Sequence, residues 1–532
     1  MNETSLTVGE AVVDLLQQYG IEYVFGIPGT HSIELYRGLS SSSIKHISPR
    51  HEQGAGFMAD GYARTSGKAA ACFVITGPGA TNISTPIGEA YMDSVPMLVI
   101  SPVNPPVEDE INRGRLHEIT NQQKVTDPLC ALSHTAENVE DIPQFIHKAF
   151  EIFERQNPRP VHLHIPLPLL VEPVTERWQK SDISGIRGIR DDEVRNCLQQ
   201  INACKRPVLV AGGGAINYKQ QVVKLAENIG CPLLTTVAGR GIAEPDHPLS
   251  AGAQLRAGHV QKIIEESDLV LFLGTDFGQT DHWNDDLKIP SNQIWVNIDP
   301  DVLEIQNATI RLLGDAGAFA EEMNNVLQPN QQRYDEAVAI CEQLKSVHHA
   351  HMTEKEQRHW QVLESMQSIY PDVVITSDMT QIAYTAVDLL PMTDVRKWHH
   401  PTGYGTLGYA LPAAIGACLA QKDTPVIAMV GDAGLQYTLQ EMGLAKELNL
   451  NLTVLLWNND ALQQIYDDME NAEIEPVGVI QKNPDFEKLA EAYGWEYVAV
   501  KSLEELSQDL RRAIENQGPV LVQLNEDITI PS

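Results

Sequence analysis

The chain has 532 residues and carries 71 acidic against 38 basic side chains, a formal charge of −33. So acidic a surface repels phosphate backbones and anionic lipid, which argues against nucleic acid or membrane as partners. No apolar run approaches the roughly 18 to 20 residues that cross a bilayer, and at about 150 to 200 residues per domain the length predicts a globular protein of three domains. Met1 to Gly9 lacks the basic and then apolar order of a signal peptide, and seven cysteines lie scattered without paired spacing. Reduced, buried thiols and a cytoplasmic location are expected.

Thr7 and Glu10 have the form of a capping box, and Val8, Val12, Leu15 and Leu16 follow at helical spacing before Gly20, so the chain should open with an amphipathic helix. Short apolar runs separated by helical stretches come next: Cys72 to Thr76, Met97 to Ser101 and Val161 to Ile165. The pattern recurs in a middle block, with Val208 to Ala211, Pro232 to Thr236, Leu269 to Gly274 and Ile294 to Ile298. It recurs again in a last block, with Val373 to Thr376, Val426 to Val430, Thr453 to Trp457 and Val520 to Leu524. This alternation predicts an α/β protein of three doubly wound parallel-sheet domains, drawn at 1–172, 190–327 and 355–532. The polar stretch Glu172 to Asp191 joins the first two, and Gln328 to Gln357 reads as a connecting helix. Gly212-Gly213-Gly214 after a strand suits a close helix–strand turn better than a nucleotide cradle, since a bare glycine run is weak evidence for the latter.

The chemistry concentrates in the last block. Its strand Val426 to Val430 runs into Gly431, Asp432, Ala433 and Gly434, small residues that let backbone N–H groups approach a phosphate at a helix start. A carboxylate there would repel a diphosphate unless a cation lay between, so Asp432 implies magnesium or calcium. The next strand ends at Asn458, Asn459 and Asp460, and carboxyl ends of adjacent parallel strands reach one site. In the first block, Ser48 to Arg64 reads SPRHEQGAGFMADGYAR, in which Glu52 precedes a helix with Ala55, Met58, Ala59 and Tyr62 at core spacing. Taken alone, Glu52 is an ordinary partner of a helix dipole.

Together, these segments resemble the signature of thiamine diphosphate (ThDP) enzymes, a Gly-Asp-Gly-type turn followed some thirty residues later by Asn-Asn. The resemblance makes Asp432, the Asn459 amide oxygen and the Ala461 carbonyl the Mg²⁺ ligands, and Glu52 the acid that promotes the imino tautomer of the coenzyme's aminopyrimidine. FGIPGTHS with Pro28 and Gly29, TGPGATN with Gly77 and Asn82, AYMDSVP, and GTLGYALPAAIGA with Gly405 and Leu407 are similar to the acetolactate synthase-like branch. Leu407 matches the residue that props the coenzyme in a bent form, and Thr380 and Gln381 match a loop near the diphosphate. The family further implies a homodimer or homotetramer with active sites at the subunit interface.

Departures from acetolactate synthase point to a particular member. Leu116, His117 and Glu118 stand where that enzyme carries Phe-Gln-Glu, and GTDFGQT replaces its Arg-Phe-Asp-Asp-Arg string for FAD, which argues against tight FAD binding. GRLHEITNQQ, VITGPG and IEPVGV resemble the 5-guanidino-2-oxopentanoate decarboxylases. His117 is then the group that delivers a proton to the enamine and releases an aldehyde. Asp460, Asp467, Asp468, Glu470 and Glu473 could pair with a guanidinium, although such charges more often form a solvated helix face. Ala461 to Gln464 are bulkier than the residues relatives carry after Asn-Asn, which reshapes the substrate end. The leading expectation is a ThDP- and Mg²⁺-dependent decarboxylase of a small 2-oxo acid. An acetolactate synthase catalytic subunit and a catalytically silent ThDP-fold subunit are the alternatives.

Overall fold

The computed structural model describes residues 6–105, 113–183, 185, 188–252, 254–348 and 352–526. Its first helix spans Val8–Gln18 and is capped as the sequence predicts: the Thr7 hydroxyl accepts from the Glu10 amide, and the Glu10 carboxylate accepts from the Thr7 amide. Val8, Val12, Leu15 and Leu16 are fully buried beneath it.

Three parallel sheets follow in chain order. The first holds β1 (Tyr23–Gly26), β2 (Lys45–Ile47), β3 (Ala70–Phe73), β4 (Met97–Val103), β5 (Leu132–Thr135) and β6 (Val161–Pro166), ordered β2-β1-β3-β4-β6-β5. The second holds β7 (Pro207–Ala211), β8 (Leu233–Thr235), β9 (Leu269–Leu273), β10 (Gln293–Asn297) and β11 (Ile310–Leu313), ordered β11-β10-β9-β7-β8. The third holds β12 (Val374–Ser377), β13 (Trp398–His399), β14 (Val426–Gly431), β15 (Leu452–Asn458), β16 (Glu496–Ala499) and β17 (Val520–Asn525), ordered β13-β12-β14-β15-β17-β16. Ten of the eleven predicted strands lie within two residues of an observed one at both ends, Cys72 to Thr76 being the exception, and the strands missed are β1, β2, β5, β11, β13 and β16. All but β1 are sheet edges, and β2, β5, β11 and β16 each leave residues exposed or half-buried. A half-wet edge strand lacks the continuous apolar run of a buried parallel strand. The run Cys72 to Thr76 was placed too late: β3 ends at Phe73, and Thr76 already belongs to a turn.

The join at Gln328 to Gln357 is two helices rather than one. Gln331–His348 is followed by Glu354–Ile369, which opens on a second capping box between Thr353 and Glu356; residues 349–351 of that join lie outside the described residues. So do residues 184, 186 and 187 of the stretch between the first two sheets. The glycine run after β7 packs backbone on backbone: a Cβ at Gly212 would sit 2.5 Å from the Gly274 carbonyl oxygen, and one at Gly214 would sit 3.0 Å from the Gly274 Cα.

One crossing fixes the first sheet against the third. Helix Glu52–Ser66 lies on helix Ala410–Ala420, with Gly61 against the Ala413 carbonyl and Gly416 against the Met58 carbonyl, so close that a methyl at either glycine would overlap the facing oxygen. Ala55, Met58, Ala59 and Tyr62 share one buried core with Ala414, Ile415 and the apolar residues of β14 and β15. Six of the seven cysteines are buried and all are free, as expected of reduced thiols.

Candidate active site

Strands β12, β14 and β15 are neighbours, and their carboxyl ends bring three loops together: Asp378 to Gln381, Gly431 to Gly434 and Asn458 to Ala461. Thr380 stands at the N-cap of helix Gln381–Leu389 and Gly431 at that of helix Asp432–Thr438, neither bonded through a side chain. On the second helix the Ala433 amide is already taken by Asp432 Oδ1; the remaining first-turn N–H groups make no intrahelical bond, as an anion site requires. Gln381 adds a buried Oε1 with no hydrogen-bond partner, while its Nε2 donates to Asp467 at 3.2 Å.

Asp432 is 2% exposed. Its Oδ1 accepts from the Ala433 amide at 2.9 Å and its Oδ2 from Asn483 Nδ2 at 2.6 Å. The same Nδ2 lies 2.9 Å from Asn458 Oδ1 and 2.8 Å from Asp460 Oδ1, and Gln436 Nε2 holds the Asn483 oxygen at 2.9 Å. Three oxygens, two of them from carboxylates, thus converge on one electropositive nitrogen. That nitrogen stands where a hard cation would find oxygen donors, so the residues fit a magnesium-sized ion. Burial pushes the Asp432 carboxyl above its ordinary range, opposed by the Asn483 and Ala433 donors. Asn459 turns its Oδ1 onto the Ala461 amide at 3.3 Å, and Ala461 is buried against Ile480. Sequence reading missed Asn483, which arrives from a loop 51 positions downstream; its one signal is the Asn-Pro-Asp turn before helix Phe486–Ala492.

Asp378 was missed as well. Fully buried, it accepts from the amides of Gly408, Tyr409 and Ala410 at 3.3, 2.7 and 3.0 Å, and burial still pushes it up to about 6. It caps helix Ala410–Ala420 and holds the turn that presents Gly405, at φ 70°, and half-buried Leu407. Gly434 packs directly on the Asp378 carboxylate, where a side chain would collide.

The second group gathers at the carboxyl ends of β1 and β3. Glu52 opens its helix, 8% exposed, and accepts from Asn82 Nδ2 at 2.9 Å through Oε2. Gly79 leaves room beside Oε1, from which a Cβ there would be 3.4 Å. Gly77, at φ 68°, donates its amide to Gln122 Oε1 at 2.7 Å and abuts the His117 carbonyl; Gly29, next to Pro28, packs on Ile75. Glu52, Pro28, Gly29, Gly77, Asn82 and His117 therefore surround one turn. Among the described residues, no hydrogen bond or ion pair joins Glu52 to the Asp432 group. What lies between is Glu441, fully buried, which accepts from the amides of Arg50 and His51 and is pushed up to about 7 by burial.

Known protein families match both groups. The N-terminal TPP-binding domain of thiamine pyrophosphate enzymes matches residues 6–125, the central domain 194–323 and the C-terminal TPP-binding domain 378–524. The chain belongs to the thiamine pyrophosphate enzymes. Glu52 and its turn fall in the first of those domains, and the Asp432 group falls in the last. Among relatives of this thiamine pyrophosphate enzyme, a probable 2-ketoarginine decarboxylase of Pseudomonas aeruginosa is 44% identical over 527 residues, covering 98% of this chain and 94% of the relative. The acetolactate synthase isozyme 1 large subunit of Escherichia coli is 30% identical, covering 98% and 94%, and the large subunit of Lactococcus lactis is 31% identical, covering 97% and 92%.

Proposed function

We propose that the protein is a Mg²⁺-dependent decarboxylase of 5-guanidino-2-oxopentanoate, the compound also called 2-ketoarginine. The observation that carries this reading is the 44% identity, sustained across 98% of the chain, to a relative named for that reaction. Thiamine diphosphate, when bound, supplies the carbanion and the electron sink for breaking the bond to the carboxylate.

The residues supply the rest. Asp432, Asn459 and the Ala461 carbonyl hold Mg²⁺, and the amides at Gly431 to Gly434 and Thr380 to Gln381 hold the diphosphate. Leu407 and Gly405 support the ring system. Glu52, held through Oε2 by Asn82, is the group that would hold or give a proton at Oε1 when the coenzyme is bound. His117 returns a proton to the substrate carbon, and an aldehyde leaves. The exposed carboxylates of helix Gln463–Asn471 and of Glu473 face the guanidinium; Asp467 is committed to Lys355 at 3.3 Å, which leaves Asp468, Glu470 and Glu473 for that role. Tight FAD binding is not part of this reading, because GTDFGQT stands where acetolactate synthase carries its FAD string. A homodimer or homotetramer completes each site with both groups, because one chain leaves Glu52 and Asp432 unjoined. No described helix is long and apolar enough to cross a membrane, and we place the enzyme in the cytoplasm.

Identity of 30 to 31% to acetolactate synthase large subunits favours a second reading, condensation of two 2-oxo acids. Incubation with thiamine diphosphate, Mg²⁺ and each 2-oxo acid separates the two: 4-guanidinobutanal from the guanidino acid supports decarboxylation, and acetolactate from pyruvate without that aldehyde overturns it. Calorimetry tests the silent-subunit alternative, against which Glu52, Asp432 and Asn459 all speak; heat from thiamine diphosphate binding with Mg²⁺ is expected.

A further inference from the structure

The first domain spends its histidines unevenly. His162 and His164 engage both ring nitrogens, through Ser101, Thr126, Gln122 and Ser133. His46 bonds to Tyr36 and the Gly26 carbonyl, His51 accepts from the Gln53 amide, and His147 bonds to Tyr19. His31 and His117 differ. Each has a buried Nδ1 without a hydrogen-bond partner, and their rings meet edge to face with centroids 5.3 Å apart. A buried nitrogen left without a partner is costly, and here two occur in one ring contact.

Neither ring is there by loose packing. His117 sits at φ 58°, in the left-handed region that few residues other than glycine adopt, with its carbonyl pressed on Gly77. His31 lies in the short turn Thr30–Ser32 after Gly29, which packs on Ile75. Both therefore border the turn whose Asn82 holds Glu52. Two touching rings with unpaired buried nitrogens beside an acid-bearing turn are the pattern of a site rather than of a core.

We propose that His31 and His117 act as one proton-delivery pair, which makes His31 a further catalytic residue of this enzyme. The inference rests on the decarboxylase reading. Once carbon dioxide has left, the electron pair of the broken carbon–carbon bond resides on the former 2-oxo carbon. That carbon takes H⁺ from an imidazolium of the pair, a C–H bond forms as the N–H bond breaks, and solvent reprotonates the neutral ring. Burial, and then the facing charge of His117, hold the His31 imidazolium below its ordinary range. His31 is thereby biased toward giving up its proton beside the His117 ring.

The test compares wild type with His31→Asn, His117→Asn and the double variant, all loaded with thiamine diphosphate and Mg²⁺. Aldehyde formation is measured beside carbon dioxide release coupled to ferricyanide, an oxidant that drains the decarboxylated species before protonation. Each single variant should lose about 100-fold in aldehyde formation while keeping ferricyanide-coupled release and calorimetric thiamine diphosphate affinity within a few-fold. The double variant should fall little further than the weaker single, as residues acting as a unit do. In coenzyme-free protein, His117→Asn should raise the titration midpoint of His31, followed by NMR of its ring Cε1 proton. Wild type that releases no carbon dioxide from any 2-oxo acid overturns the decarboxylase reading and the pair with it. Active wild type with His31→Asn unimpaired, or with both rates falling together in the variants, overturns the pair alone.

Discussion

Asn483 gives one amide group to three oxygens, among them Asp432 Oδ2, which the proposed Mg²⁺ would claim. The two stabilisations exclude each other. Asn483→Ala should therefore lower the stability of coenzyme-free protein by about 1–3 kcal/mol, and adding thiamine diphosphate with Mg²⁺ should raise its melting temperature more than it raises wild type's. Thermal unfolding with and without the ligands checks both parts. Glu52→Gln keeps the Asn82 contact feasible but cannot share a proton, so calorimetry should show binding retained while steady-state turnover falls about 10²- to 10⁴-fold. Glu89 provides a pH test away from the chemistry. It is fully buried, accepts from the Thr406 amide and hydroxyl, and is pushed far above the usual carboxylate range by burial and then by Asp93. The folded protein keeps a proton there that the unfolded chain loses, so stability falls as pH rises from the ordinary carboxylate range toward that raised value. Glu89→Gln removes the loss: its melting temperature should exceed wild type's by a margin that grows between pH 5 and pH 8. At this scale, the placement of Asp432 and Glu52 at the first position of a helix was legible from the local sequence. Asp378, Asn483 and His31 were not, because their importance comes from what distant loops bring to them.

At the scale of elements, the contact of helix Glu52–Ser66 with helix Ala410–Ala420 carries the alignment of the two terminal domains. Both faces rely on glycine at the closest approach, and Gly416 has the Met58 carbonyl where a side chain would go. Gly416→Ala should destabilise by about 1–3 kcal/mol, the range of overpacked cores, measured by urea unfolding. The inner strands were readable from continuous apolar runs such as Leu269 to Leu273, buried throughout. The edges were not: β16 is half wet and β13 is only two residues long. The connecting segment read as one helix because both its pieces are polar and helical, and the break lies at Thr353, whose capping role depends on Glu356 three residues on.

Across the whole molecule, three similar sheets serve different ends. The first presents the acid and the two imidazoles, the last presents the oxygen cluster and open helix starts, and the middle one packs its glycine run into its own sheet. The repeated architecture was plain in the alternation of strands and helices, while the family was recognisable from the motifs around Glu52, Asp432 and Asn459. The resemblance already assigned the acid and the facing diphosphate site to different subunits, and among the described residues of one chain no hydrogen bond or ion pair joins Glu52 to Asp432. The most direct measurement incubates the purified protein, with thiamine diphosphate and Mg²⁺, with 5-guanidino-2-oxopentanoate and with pyruvate, and identifies the products by mass spectrometry. Stoichiometric carbon dioxide and 4-guanidinobutanal from the first substrate, with little acetolactate from the second, are predicted. Acetolactate from pyruvate, with no aldehyde from the guanidino acid, would contradict the account.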